Sequence, residues 1–178
     1  MPKLIKNAKD NIMQTAKQLL TEKGLAGLNM RTLASTVGVA AGTLYNYFPS
    51  KEHLVAAVML EDWENALRKM ESEIPSATTA SEGLEIVFDE IRAFADTYRT
   101  AWDSFHGPQN YRAIRQKYHK ELIDKLSDQI RPLGVRFGFL FDPTVAPFIS
   151  EILLTGAAHA QGNFRYLLPC LKRIVGEQ

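Results

Sequence analysis

One cysteine, Cys170, in 178 residues excludes an internal disulfide and any zinc cage built from cysteines. No apolar run is long enough to cross a bilayer, and the first residues lack the hydrophobic core of a secretory signal. A soluble, cytoplasmic protein with no membrane partner is therefore expected. Histidine is scarce, and His53, His106, His119 and His159 stand apart, with neither a His-Glu-x-x-His motif nor the Glu-x-x-His pairs of di-iron bundles. Nucleophile elbows, phosphate-binding glycine loops and dinucleotide fingerprints are missing too. With no proton-transfer pair to name, the chain is not expected to be an enzyme or to carry a metal or other cofactor.

What the chain does have is a lopsided charge. The net value of +1 points to no polyanionic partner, yet residues 1–51 hold seven lysines or arginines against Asp10 and Glu22, a net +5. The remainder holds fourteen against eighteen, a net −4. A basic head on an acidic body fits a nucleic-acid-binding domain joined to one with another task.

The most informative stretch is Leu28 to Lys51. Asn29 can cap a helix in which Met30, Leu33, Ala34 and Val37 recur on one face, and Gly38 supplies the left-handed stop. After a three-residue turn, Val39, Leu44 and Phe48 give a second short helix one buried edge, which Pro49 ends. Its outward face is Ala41, Gly42, Thr43, Tyr45, Asn46 and Tyr47. Small residues there let the backbone approach a phosphate, and the hydroxyls can donate to it. This is a helix-turn-helix pattern; a helical hairpin inside a core has the same spacing.

Leu33-Ala34, Gly38-Val39, Gly42-Thr43-Leu44-Tyr45, Tyr47-Phe48 and Ser50-Lys51-Glu52 with Leu54 resemble the DNA-binding domain of the TetR family of bacterial transcriptional regulators. The resemblance, close over residues 10–55, implies an all-α fold. A three-helix head with the helix-turn-helix would occupy residues 1–50, and a helical effector-binding and dimerisation body residues 51–178. It implies a homodimer on near-palindromic double-stranded operator DNA. Asn29, Arg31, Thr43, Tyr45, Tyr47 and Lys51 would mainly hold phosphate, Arg31 and Asn46 would read base edges, and Ala41, beside Gly42, could meet a thymine methyl. Ala40 leaves the recognition helix without the side-chain cap that Ser or Thr provides.

Gly24 closes the first helix, and toward the carboxyl end Ser50 caps a fourth, apolar at Leu54, Ala57, Val58, Trp63, Leu67 and Met70. Its Glu61-Asp62-Glu64 cluster reads as a solvated face. Pro75 to Thr79 reads as a linker, and Thr79 with Glu82 as a capping box for a long helix striped with Leu84, Val87, Phe88, Ile91, Tyr98, Trp102 and Phe105. Arg92 and Arg99 on it can accept an anion if they face inward; a charged helix flank explains them as well. The next helix is expected from Tyr111 to Ile130, followed by a connection marked by Pro132, Gly134 and Gly138. Asp142-Pro143 reads as the start of a helix apolar on nearly every side, which must be covered all round, by a second subunit as well as its own core.

By the resemblance, an effector pocket lies in the body, with Met59, Trp63, Phe88, Tyr98, Trp102, Phe105, His106 and Tyr118 as candidates; aromatic stripes at this spacing are more often plain core. The family pairs through its last two long helices, which puts Phe148, Ile149, Ile152, Leu153, Gly156, Ala157 and Ala160, with the segment 163–175, at the dimer interface. The implied function is a repressor released from its operator by a small apolar or aromatic effector. A helical protein-interaction module without DNA binding is the alternative.

Overall fold

The computed structural model describes the backbone of residues 7–104, 110–159 and 161–177, and their side chains except in 100–118. Among the described residues all regular structure is helical: α1 (Ala8–Gly27), α2 (Met30–Val37), α3 (Ala41–Tyr47), α4 (Lys51–Glu73), α5 (Ala80–Ser104), α6 (Asn110–Phe137), α7 (Val145–Ala158) and α8 (Phe164–Val175). One turn of 3₁₀ helix, Ile74–Ser76, follows α4.

The head is built from local signals. Gly24 breaks α1 at φ 63° and ψ −173°, a region that essentially only glycine occupies. The Asn29 side-chain oxygen accepts from the Arg31 and Thr32 amides at 2.9 and 3.1 Å, satisfying two of the four N–H groups that open α2. Gly38 ends that helix in the left-handed region at φ 76°. Removing the cap with Asn29→Ala is expected to cost about 1 kcal/mol. In a chain of this size that lowers the midpoint of thermal unfolding by roughly 2–4 °C, readable by circular dichroism.

Two apolar clusters hold the molecule together. Ile12, Ala16, Leu20, Leu33, Leu44 and Phe48 form the centre of the first, and α4 contributes Leu54, Val55 and Val58 to it. One turn later α4 changes allegiance: Trp63, Leu67 and Met70 pack with α5, α6 and α7 in the second. The head's cluster thus continues past residue 50 and takes in Met59 and, from α5, Tyr98. Helix α4 is a continuous rod with one end in each core.

Several expectations for the body need correction. The Pro75–Thr79 segment is no loose linker, since Ile74 and Ala77 are buried and the turn packs against α4 and α5. The Glu82 amide does donate to the Thr79 hydroxyl at 3.2 Å, but the Glu82 carboxylate reaches one residue further, to the Thr78 amide and hydroxyl at 2.7 Å each. Those two bonds hold its carboxyl below the usual glutamate range. The first amides of α5 donate instead to Glu177 beyond α8, Ala80 at 2.6 Å and Ser81 at 3.2 Å.

Helix α6 does not stop at Ile130 but runs through Pro132 to Phe137. Pro132 is on the exposed side, where the carbonyl it leaves unbonded one turn back can take water, while Leu126, Ile130 and Leu133 fasten the other side to the core. Asp142 caps a turn rather than the helix itself: its carboxylate accepts from the Thr144 amide at 2.8 Å and the Thr144 hydroxyl at 2.6 Å, and α7 begins at Val145.

Candidate nucleic-acid interface

Helix α3 meets the head's core through Leu44, wholly buried, with Phe48 just beyond its end. Everything else on it, Ala41, Gly42, Thr43, Tyr45, Asn46 and Tyr47, is exposed. The two tyrosines are 44% and 47% exposed, high for rings that a core could have taken. Ala40 makes no side-chain cap, and its carbonyl accepts from the Thr43 and Leu44 amides at 2.9 and 3.2 Å. The amides at the start of α3 therefore lack a capping side chain.

The other residues singled out for DNA sit on α2 and at the start of α4. Asn29 and Arg31 are exposed, although the Asn29 side-chain oxygen is committed to the cap, leaving its NH₂ group for an outside acceptor. Lys51 is half-buried, and its ammonium donates to the Leu25 carbonyl, tying the first turn of α4 to the end of α1. Ser50 accepts from the His53 amide at 3.4 Å and shares a 3.0 Å contact with the His53 ring.

The four residues named for an effector whose side chains are described, Met59, Trp63, Phe88 and Tyr98, are divided between the two clusters. Met59 and Tyr98 belong to the head's cluster, Trp63 and Phe88 to the body's. Trp63 packs edge-on against Phe94 with ring centres 5.1 Å apart, and Phe88 against Phe164 at 5.5 Å. The Trp63 indole N–H is buried and has no acceptor among the protein groups described. Phe105 and His106, and the side chains of Trp102 and Tyr118, lie outside the described residues, as does Ala160 of the dimer set.

Arg92 and Arg99 do form a charged helix flank, each paired with Asp96 one turn away on α5, and they are also committed across the fold. Arg92 donates to the Ala157 and His159 carbonyls at 3.2 and 2.6 Å and Arg99 to the Ala158 carbonyl at 3.4 Å, so the two close the carboxyl end of α7, where positive charge is favoured. Two members of the acidic cluster on α4 also have partners on other helices, while Glu61 is exposed as expected of a solvated face. Lys125 of α6 pairs with Glu64, and both Lys17 and Tyr98 donate to Asp62. Those partners lie on other helices, where sequence spacing gave no signal.

Of the dimer set, Ile149, Leu153 and Ala157 are fully covered within the chain, which corrects their assignment to a partner: one face of α7 is spent on its own core. A methyl added at Gly156 would come within 2.7 Å of Leu167, so its small size serves the α7–α8 crossing inside the chain. Phe148 remains 57% exposed and Tyr166 of α8 81%, and Ile152 is half-covered. A groove of about 570 Å³ runs between α7 and α8 past Ile152, Thr155, Gly156, Tyr166 and Leu167.

Residues 12–58 match the profile of bacterial regulatory proteins of the tetR family. The HTH-type transcriptional regulator UidR of Escherichia coli K12 is 33% identical over 63 residues, 35% of this chain and 32% of the relative. The match thus spans about a third of that relative's length. An uncharacterised HTH-type regulator of Mycobacterium bovis is 28% identical over 87% of this chain and 71% of its own. Among solved structures, the fatty acid degradation regulator FadR of Bacillus halodurans has a TM-score of 0.62 at 20% identity, covering 96% of this chain and 95% of FadR. FadR of Bacillus subtilis, solved with stearoyl-CoA, has a TM-score of 0.58 at 20% identity over 94% and 92% of the two chains. The matched segment spans the helix-turn-helix, and the all-helical architecture is shared along nearly the whole length; the head of this chain is similar to that of bacterial regulatory proteins of the tetR family.

Proposed function

We propose that this chain is a DNA-binding transcriptional regulator, a repressor that leaves its operator when a small apolar or aromatic molecule binds in the helical body. The observation that carries the reading is α3, a two-turn helix pinned by Leu44 and exposed at every other position from Ala41 to Tyr47. Its support is the head's net charge of +5 against −4 for the rest. On this reading Asn29, Thr43, Tyr45, Tyr47 and Lys51 mainly hold phosphate, Lys51 exchanging or sharing its Leu25 carbonyl. Arg31 and Asn46 read base edges, and Ala41 meets a thymine methyl.

Two copies would pair through the exposed side of α7 and α8, around Phe148, Ile152 and Tyr166, placing the two α3 helices in major grooves about 34 Å apart. The stearoyl chain of the stearoyl-CoA seen with FadR of Bacillus subtilis supports an effector with an apolar part for this chain. Helix α4, rooted in both cores, transmits its arrival by shifting the heads off their half-sites. By linkage, DNA weakens effector binding as much as the effector weakens DNA binding.

Selecting bound fragments from random duplex DNA tests the reading directly. The expected result is a near-palindromic site whose affinity falls roughly 10³-fold or more as salt rises from about 50 to about 200 mM, because bound phosphates release counterions. Retention that is absent at low salt, or indifferent to salt, would favour the protein-interaction alternative.

A further inference from the structure

We propose that Asp62 is a positioning residue that sets the bearing of the head relative to the body, and with it the half-site spacing the protein accepts; this rests on the DNA-binding reading. Asp62 stands on α4 at the point where the rod passes from the head's core to the body's, between Met59 and Trp63. Its side chain is only 13% exposed. One carboxylate oxygen accepts from the ammonium of Lys17 on α1, the other from the hydroxyl of Tyr98 on α5.

A single carboxylate is thereby held from both sides, by the head's first helix and by the body's central one. The Tyr98 ring is 2% exposed, packs within the head's cluster and against Phe94 at 5.2 Å, and cannot swing away without opening that core. Burial, then the bond to Asp62, push its hydroxyl well above the usual tyrosine range, so it remains a donor. Apolar packing between α1 and α5 is non-directional and tolerates rotation; two opposed hydrogen bonds on one carboxylate do not. The tie borders a cleft of about 220 Å³ between α1, α4 and α5, whose body end is closed by a 2.6 Å ion pair between Lys69 and Glu90. Lys17 is 47% exposed and screened by salt, which makes Tyr98 the stiffer half.

Tyr98→Phe removes the hydroxyl and keeps the ring, and Lys17→Met removes the opposing donor. Both are made in a Cys170→Ser background with spin labels at Asn46→Cys on α3 and Glu85→Cys on α5, the labelled chain diluted into excess unlabelled protein. The distribution of label separations within one chain, free of DNA, should widen about twofold in Tyr98→Phe and less in Lys17→Met, because a directional constraint is lost while the cores remain. Unlabelled Tyr98→Phe, selected on duplexes of varied half-site spacing, should accept spacings a base pair either side of the parent's optimum. Distributions that superimpose on the parent's in both variants would overturn the proposal. If Tyr98→Phe fails to fold, Lys17→Met decides alone. If the parent retains no duplex, the DNA-binding reading falls, while the distance measurement still decides whether Asp62 orients the head.

Discussion

Gly42→Glu is expected to leave the protein at least as stable as the parent and to weaken its binding to duplex DNA by about 100-fold or more. The two effects have opposite signs because they arise on different surfaces. Gly42 is the second residue of α3, and a Cβ built there meets no atom within 4 Å. Glycine inside a helix costs about 0.5–1 kcal/mol relative to alanine, and a carboxylate in the first turn gains roughly 0.3–1 kcal/mol from the helix dipole. The gain should be fully felt, since α3 has no side-chain cap on Ala40. Against DNA the same carboxylate stands where the backbone would approach phosphate, and like charges brought together cost several kcal/mol. Gly42→Ala separates bulk from charge: a similar rise in thermal midpoint, with a much smaller loss of affinity. Unfolding followed by circular dichroism and binding followed by fluorescence anisotropy at low salt read the two effects. If Gly42→Glu bound duplex DNA like the parent, α3 would not lie against phosphate.

Features whose partners are close in sequence were legible before the structure. The Asn29 cap, the Gly24 and Gly38 stops and the buried Leu44 edge each rest on groups two to four residues apart or on one residue's own backbone. Contacts between distant helices were not. Asp62 looked solvated because its partners are 45 and 36 residues away, and Arg92 and Arg99 looked unassigned because the end of α7 lies 59 to 67 residues on. Pro132 misled for a different reason. A proline forbids one hydrogen bond, not a helix, and where its turn faces water while the opposite side is anchored by Leu126, Ile130 and Leu133, the helix continues. The all-apolar character of α7 forecast thorough burial but could not apportion it. Ile149 and Leu153 went to the chain's own core, and Phe148 stayed outside.

That apportionment makes oligomerisation separable from folding. Phe148→Glu combined with Tyr166→Glu replaces two rings that are 57% and 81% exposed in the single chain, so the stability of the isolated chain should change little. If two copies pair through α7 and α8, the contact is isologous, and each new carboxylate is buried against the same patch on the other copy, near the carboxylate that copy also carries. Several kcal/mol of desolvation and repulsion should then leave monomers. A monomer engages one half-site at a time and forfeits the effective concentration that its tethered partner supplies, about 10²–10⁴-fold in affinity. The expected outcome is a monomer by sedimentation velocity that binds a full operator no better than a single half-site. Leu153→Ala supplies the contrast, because a wholly buried leucine costs about 2–5 kcal/mol of stability through the cavity it leaves without placing any charge on the outer face. It should lower the thermal midpoint and still sediment as a dimer. A double glutamate variant that remained dimeric with full operator affinity would place the twofold elsewhere and return the outer face of α7 and α8 to solvent.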